Sequence, residues 1–269
     1  MNDEKANPYR FSQSIASMLL QTQQPLEASR VIRRMIAMRP DEVEPYYMLA
    51  RAFLGMEQYE SAEKMLATAL SKDPRYAPAH ALHGVLLDTV GRSNEAENSH
   101  RRAVALAPKD ASYRNNLGFN LYLRGQYPRA IKAYRAGLEL DPAARRIHNN
   151  LGFAYGRVGE LDLAEKSFKF AGPPAQASCN IGFIYEQRGN DEAAYQSFLV
   201  AVTQDPLLVP ALDSLRRTAE KLGRPLPELP KPVRVSEPQE PTALMPSEPP
   251  AGPETDGPSG PVEQAQESL

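Results

Sequence analysis

The chain has 269 residues, 42% of them apolar and 24% charged, the composition of an ordinary soluble body, and no window approaches the roughly 18 apolar residues that a membrane helix requires. The formal net charge of −2 is unevenly placed: residues 224–269 carry eight acidic and three basic side chains, which leaves the rest at about +3, too weak a field for a nucleic-acid footprint. The single cysteine, Cys179, allows no internal disulfide, and no Cys/His spacing resembles a zinc or redox site. The polar run Met1 to Arg10 lacks both the apolar core of a secretory signal and a cysteine for lipid attachment, so a cytoplasmic location is expected, with the cell envelope as the alternative.

Read along the chain, small residues recur at Ala16, Ala50, Gly84, Gly118, Gly152 and Gly182, spaced by 34 four times and then by 30. An alanine follows each by twelve residues, at Ala28, Ala62, Ala96, Ala130, Ala164 and Ala194. That interval suits two antiparallel helices that cross closely where both side chains are small. Four residues beyond each alanine stands a large apolar residue, Ile32, Leu66, Tyr134, Phe168 or Phe198, the spacing of a buried helical stripe, and only the third unit departs, with His100. Glycines at Gly91, Gly125, Gly159 and Gly189 fall between the two helices of a unit, where a left-handed residue is needed. Prolines at Pro40, Pro74, Pro108, Pro142 and Pro206 close five units. The units start near Tyr9, Val43, Ala77, Ala111, Arg145 and Ala175. The fifth has lost four residues and runs into Gly172-Pro173-Pro174, so its second helix is expected to stop about one turn early.

The order and 34-residue period of Leu117-Gly118, Leu121, Ala130, Tyr134 and Asp141-Pro142 resemble the tetratricopeptide pattern. That resemblance implies an all-α, right-handed solenoid of six helix pairs over residues 9–207. A seventh helix near 209–222 carries Arg216 where every full unit has Gly or Ala, so residues 208–223 are expected to cap the stack. Residues 1–8 are expected to be disordered. So are residues 224–269, which hold 12 prolines and cannot bury enough surface to offset chain entropy; docking of this extended segment onto the body is the alternative.

No phosphate loop, nucleophile elbow or His-Glu-x-x-His motif occurs, and no catalysis or cofactor is expected. His80, His83 and His100 could in principle converge on a metal, but the reading adopted is that they are neutral packing residues; Cys179 is read as an unreactive thiol.

In tetratricopeptide proteins the first helix of each unit lines the concave surface. Asparagines at Asn116, Asn150 and Asn180 precede the small residue by two, and phenylalanines at Phe119, Phe153 and Phe183 follow it by one. With Tyr122 and Arg157 they form the candidate peptide groove, the amides expected to be exposed and to pair with an extended peptide's backbone while the rings anchor its side chains. The asparagine run resembles the ladder in the repeat half of nucleocytoplasmic sugar transferases, although the catalytic half is absent. The cation clamp of chaperone-binding repeats is not met, since Asn115 and Asn150 stand where it needs cations.

A closer resemblance, carried by Asn115-Asn116-Leu117-Gly118-Phe119, Asn149-Asn150-Leu151-Gly152-Phe153-Ala154-Tyr155 and Asn180-Ile181-Gly182-Phe183, is to bacterial repeat proteins of the Flp/Tad pilus-assembly system and, more loosely, to type IV pilotins. It implies a scaffold that holds protein partners of an envelope assembly or secretion machine, with neither nucleic acid nor a small-molecule substrate. A cytoplasmic adaptor of another pathway is the alternative.

Overall fold

A computed structural model describes residues 8–226; the disorder expected at the two ends falls almost wholly on residues 1–7 and 227–269, outside the described part. Twelve helices form six antiparallel pairs: α1 (Pro8–Gln21) with α2 (Pro25–Met38), α3 (Glu44–Gly55) with α4 (Tyr59–Lys72), α5 (Ala77–Thr89) with α6 (Ser93–Leu106), α7 (Ala111–Leu123) with α8 (Tyr127–Leu138), α9 (Arg145–Val158) with α10 (Leu161–Ala171), and α11 (Pro174–Gln187) with α12 (Asp191–Gln204). A thirteenth, α13 (Val209–Lys221), packs on α12. No strand occurs among the described residues. From α1 to α11 each odd-numbered helix also approaches the next odd-numbered helix, whereas the even-numbered ones stand farther apart, so the stack curves with the odd-numbered helices on its inner side.

The small residue of each first helix faces a side chain sixteen positions later. A β-carbon added at Gly118 would lie 2.6 Å from the Tyr134 ring, one at Gly152 2.5 Å from Phe168, one at Gly182 2.5 Å from Phe198, and one at Gly84 2.5 Å from the His100 ring. Each of these rings is at most 1% exposed. Where the position holds alanine, at Ala16 and Ala50, the residue sixteen later is aliphatic, Ile32 or Leu66, and both members of each pair are fully buried. The alanine twelve positions on is buried too, but the nearest atoms to the glycines belong to the rings.

Within units the chain reverses through a left-handed residue. Gly91, Gly125, Gly159 and Gly189 take φ of 79°, 71°, 91° and 72°, and the next amide donates to the carbonyl five residues before it, as in Arg92 N to Leu87 O at 2.7 Å and Gln126 N to Leu121 O at 2.8 Å. In the first two units Gln23 and Glu57 stand there instead, at φ 54° and 57°. Between units the proline carbonyl is clasped by the fourth residue of the following unit. Tyr46 Oη donates to Pro40 O at 2.9 Å, His80 Nε2 to Pro74 O at 3.0 Å, Arg114 Nη2 to Pro108 O at 3.0 Å and His148 Nε2 to Pro142 O at 2.9 Å. Four side chains of three chemical kinds, tyrosine, histidine and arginine, thus do one job, fixing the loop that sets one unit on the next.

As the shortened fifth unit implies, α10 has 11 residues where α4, α6 and α12 have 14, close to one turn less. Its last carbonyl, of Ala171, accepts from Arg145 Nε at 2.8 Å. At the far end α13 buries Ala211, Ser214, Leu215, Thr218 and Ala219, while Arg216 points outward at 57% side-chain exposure, where no further helix crosses among the described residues. Three ion pairs tie this end to the sixth unit: Arg217–Glu186, Lys221–Asp191 and Arg224–Glu192.

A residue with a β-carbon held in the left-handed region costs roughly 1–2 kcal/mol, which glycine avoids. Glu57 is exposed, so Glu57→Gly is expected to raise unfolding stability by about 1 kcal/mol in urea denaturation, after the entropy that glycine gives back. A loss of stability would show that the Glu57 side chain makes a contact worth more than the strain.

Candidate peptide groove

The three asparagines lie on the inner row of helices, but between neighbouring helices and not on the groove surface. Asn116, Asn150 and Asn180 are 3%, 2% and 1% exposed. Asn150 Nδ2 donates to Asn115 Oδ1 at 2.9 Å, joining α9 to α7, and Asn180 Nδ2 donates to Asn149 Oδ1 at 3.0 Å, joining α11 to α9. Asn180 Oδ1 in turn accepts from Gln176 Nε2 at 3.0 Å. The expectation of exposed amides is therefore corrected. Adjacent inner helices approach so closely that a side chain two residues before the small position reaches the next helix before it reaches solvent. Asn116 Oδ1 and Asn150 Oδ1 are buried with no partner among the described residues.

The phenylalanines divide. Phe119 and Phe153 are 5% and 2% exposed, and the Phe153 ring meets Phe168 edge-on at 4.9 Å. Phe183 meets Phe198 in the same way at 5.2 Å but stays half-buried. These rings extend the close crossing of each unit toward the inner face. Tyr122 is half-buried in the apolar cluster that contains Phe153, and its ring lies 5.4 Å from Tyr127. Burial raises the Tyr122 hydroxyl above its ordinary pKa. Arg157 is exposed: it stacks over Tyr127 at 5.2 Å, donates from Nε to Tyr127 Oη at 3.0 Å, and reaches the next unit through Nη1 to Gln187 Oε1 at 2.9 Å. Tyr122, Tyr127 and Arg157 thus form one partly accessible cluster, and the half-buried Phe183 belongs to a separate apolar cluster with Phe198.

Sequence reading missed a buried polar group beneath the inner face. His100 fills the ring position of the third unit, and its Nε2 lies 3.0 Å from Asp88 Oδ2, the two side chains 1% and 2% exposed. Asp88 Oδ1 accepts from Asn120 Nδ2 at 2.6 Å, and Asn120 also donates to Ser93 O at 2.9 Å. Asp88 precedes His100 by twelve residues, the same interval as the small residue and its alanine, and that was the available signal. His80, His83 and His100 go to separate partners: His80 to the Pro74 carbonyl, His83 to Ser99 Oγ at 3.2 Å with Glu63 at 3.8 Å, and His100 to Asp88. Burial lowers the pKa of His83 below its ordinary 6.5, with Glu63 opposing the shift. The Cys179 thiol is pushed up to about 12 by burial, the behaviour of a packing residue.

Comparison with known proteins agrees with this architecture. A family model described as "Tetratricopeptide repeat" matches residues 19–86, and one described as "TPR repeat" matches residues 120–159. The chain carries tetratricopeptide repeats over these two stretches. It is 32% identical over 92 residues to the type IV pilus assembly protein PilF of Pseudomonas aeruginosa, a match over 34% of this chain and 36% of that relative's length. The solved structure of Pseudomonas aeruginosa PilF superposes with a TM-score of 0.63 at 16% identity, over 78% of this chain and 97% of that one. MamA from Desulfovibrio magneticus RS-1 superposes at 0.52 and 23% identity, over 62% and 94%. At these identities the superpositions show the fold alone. Tetratricopeptide proteins are generally non-catalytic, and this one is a protein-interaction scaffold built of such repeats. Among the described residues no helix is long and apolar enough to cross a membrane.

Asn150→Ala is expected to lower unfolding stability by about 1–3 kcal/mol, because it removes a buried bond and strands Asn115 Oδ1 between two helices. An unchanged urea midpoint would mean that the amides are as exposed as the sequence alone suggests.

Proposed function

We propose that this scaffold serves the assembly of a bacterial pilus or secretion apparatus of the Flp/Tad type, and that a partner's extended peptide lies along its inner face. The pathway rests chiefly on the 92-residue match to PilF at 32% identity, together with the repeated Asn-Leu-Gly-Phe blocks. In this reading the peptide contacts Tyr122, Arg157 and Phe183, while Asn116, Phe119, Asn150, Phe153 and Asn180 hold the inner helices in register behind them. The rim supports it chemically. Tyr122 and Tyr127 offer flat apolar faces at small entropic cost, and the exposed Arg157 guanidinium has donors left for a backbone carbonyl or a carboxylate. The role needs no cofactor and no turnover, and its partners are proteins, with neither nucleic acid nor a small-molecule substrate.

An in-frame deletion of the gene in its own bacterium, followed by electron microscopy of the cell surface, tests the reading. Filaments should be lost and should return with the intact gene. Arg157→Glu, at an exposed position, should accumulate to the normal level yet restore few filaments. Normal filaments in the deletion strain would exclude the pilus role, and full rescue by the variant would move the partner away from the Arg157 rim.

A further inference from the structure

The outer face carries clefts that the groove does not use. Between α8 and α10, over α9, lies a cleft of about 340 Å³ whose lining includes Arg135, Glu139, His148, Leu163, Lys166 and Phe170. Phe170 and Leu163 are 61% and 41% exposed, and Phe170 stacks on His148 at 5.1 Å with the rings 24° apart. The same register recurs at the first junction, where a cleft of about 160 Å³ is lined by Arg33, Leu49, Phe53, Lys64 and Met65. An arginine of one unit and a lysine of the next therefore stand over an apolar floor at both junctions, and the repeat spacing puts Arg101 and Lys132 in the matching positions between them. Arg33, Lys64, Lys132, Arg135 and Lys166 are all exposed, and none has a carboxylate within ion-pair distance among the described residues. The cations at the loop end of the units, by contrast, are consumed by Glu63, Glu97, Glu186, Asp191 and Glu192. Arg101 pairs with Glu97 at 2.7 Å and Lys169 with Glu165 at 2.7 Å, so the unpaired cations over apolar floor are those of the two clefts, Arg33 with Lys64 and Arg135 with Lys166.

The chain itself carries the complement. Residues 237–269 hold seven acidic side chains and no basic one, and residues 237–250 combine Glu237, Glu240 and Glu248 with five prolines around one apolar triplet, Ala243-Leu244-Met245. Proline-rich segments favour the extended polyproline II form, which docks in aromatic-lined grooves with little further loss of entropy. We propose that residues 237–250 dock in the cleft between α8 and α10, with Leu244 and Met245 against Phe170 and Leu163 and with the flanking glutamates near Arg135 and Lys166. The reach suffices. The 17 residues from Leu226 to Ala243 span about 53 Å at ~3.1 Å per residue, against roughly 30 Å for three helix-to-helix steps of 8–10 Å back from α13. The shortened fifth unit contributes, because α10 ends at Ala171 and no further turn lies beyond Phe170.

A nitroxide attached through Ser247→Cys in the full chain tests this, since the buried Cys179 thiol, pushed up to about 12, should stay unlabelled. Amide signals of residues 148–155 and 163–170 should lose at least half their intensity. The loss should weaken in concentrated salt, where screening shortens to about 3 Å, and should disappear with Arg135→Glu and Lys166→Glu together, whose exposed positions spare the fold. Undiminished signals at the cleft, or losses confined to the Tyr122 and Arg157 rim, would overturn the proposal. Losses seen only when label and isotope are on different molecules would assign the cleft to a second copy and overturn it equally.

Discussion

The stack depends on how closely the two helices of each unit cross, and that closeness is set by one contact, a ring laid against a glycine backbone. At Gly84, Gly118, Gly152 and Gly182 even a single β-carbon would enter the ring opposite at 2.5–2.6 Å, a distance at which something must shift. Glycine inside a helix is disfavoured against alanine by roughly 1 kcal/mol. Four of the six units bear that cost, and the two that use alanine oppose it with an aliphatic side chain. Side-chain shape and helix separation are therefore matched unit by unit. With that distance fixed, the remaining choices follow: the loop glycine turns the chain back, the proline carbonyl is clasped from the next unit, and the inner helices come near enough for asparagine to bridge them.

Much of this was legible in the sequence because the period repeats a physical requirement. A small residue every 34 positions, an alanine twelve later and a ring or branched chain four after that describe a helix pair without reference to any particular protein. The loop glycines were legible for the same reason, since left-handed backbone leaves few alternatives. Exposure was not legible. Asn150 and Asn180 were read as facing a ligand because their distance from the small position suits the inner face, yet whether that face is open depends on how near the next inner helix comes. That is a property of the curvature, which no single unit encodes. The Asp88–His100–Asn120 group was hidden differently: its members come from two units and meet only after stacking.

Buried polar bridges and exposed charge divide the molecule into two surfaces. On the inner side, amides and the Asp88 group are spent on holding units together, which leaves Tyr122 and Arg157 among the side chains still partly or wholly accessible. On the outer side, Arg33, Lys64, Arg135 and Lys166 stand without an ion-pair partner above apolar clefts, one of them the proposed site for the acidic proline-rich segment of the same chain. In the proposed arrangement one face holds a partner and the other takes a segment of the protein's own chain.

The matching of ring to glycine is most directly measured by a double-mutant cycle with Gly118→Ala and Tyr134→Leu, which rebuilds in the fourth unit the pairing that Ala50 and Leu66 make in the second. By helix propensity alone Gly118→Ala should stabilise by about 1 kcal/mol. The overlap with Tyr134 should instead make it destabilising by roughly 1–3 kcal/mol, the usual cost of overpacking. If the contact sets the helix spacing, the double variant should be more stable in urea denaturation than the sum of the single changes by at least about 1 kcal/mol. Additivity within about 0.5 kcal/mol, the behaviour of independent sites, would contradict the account.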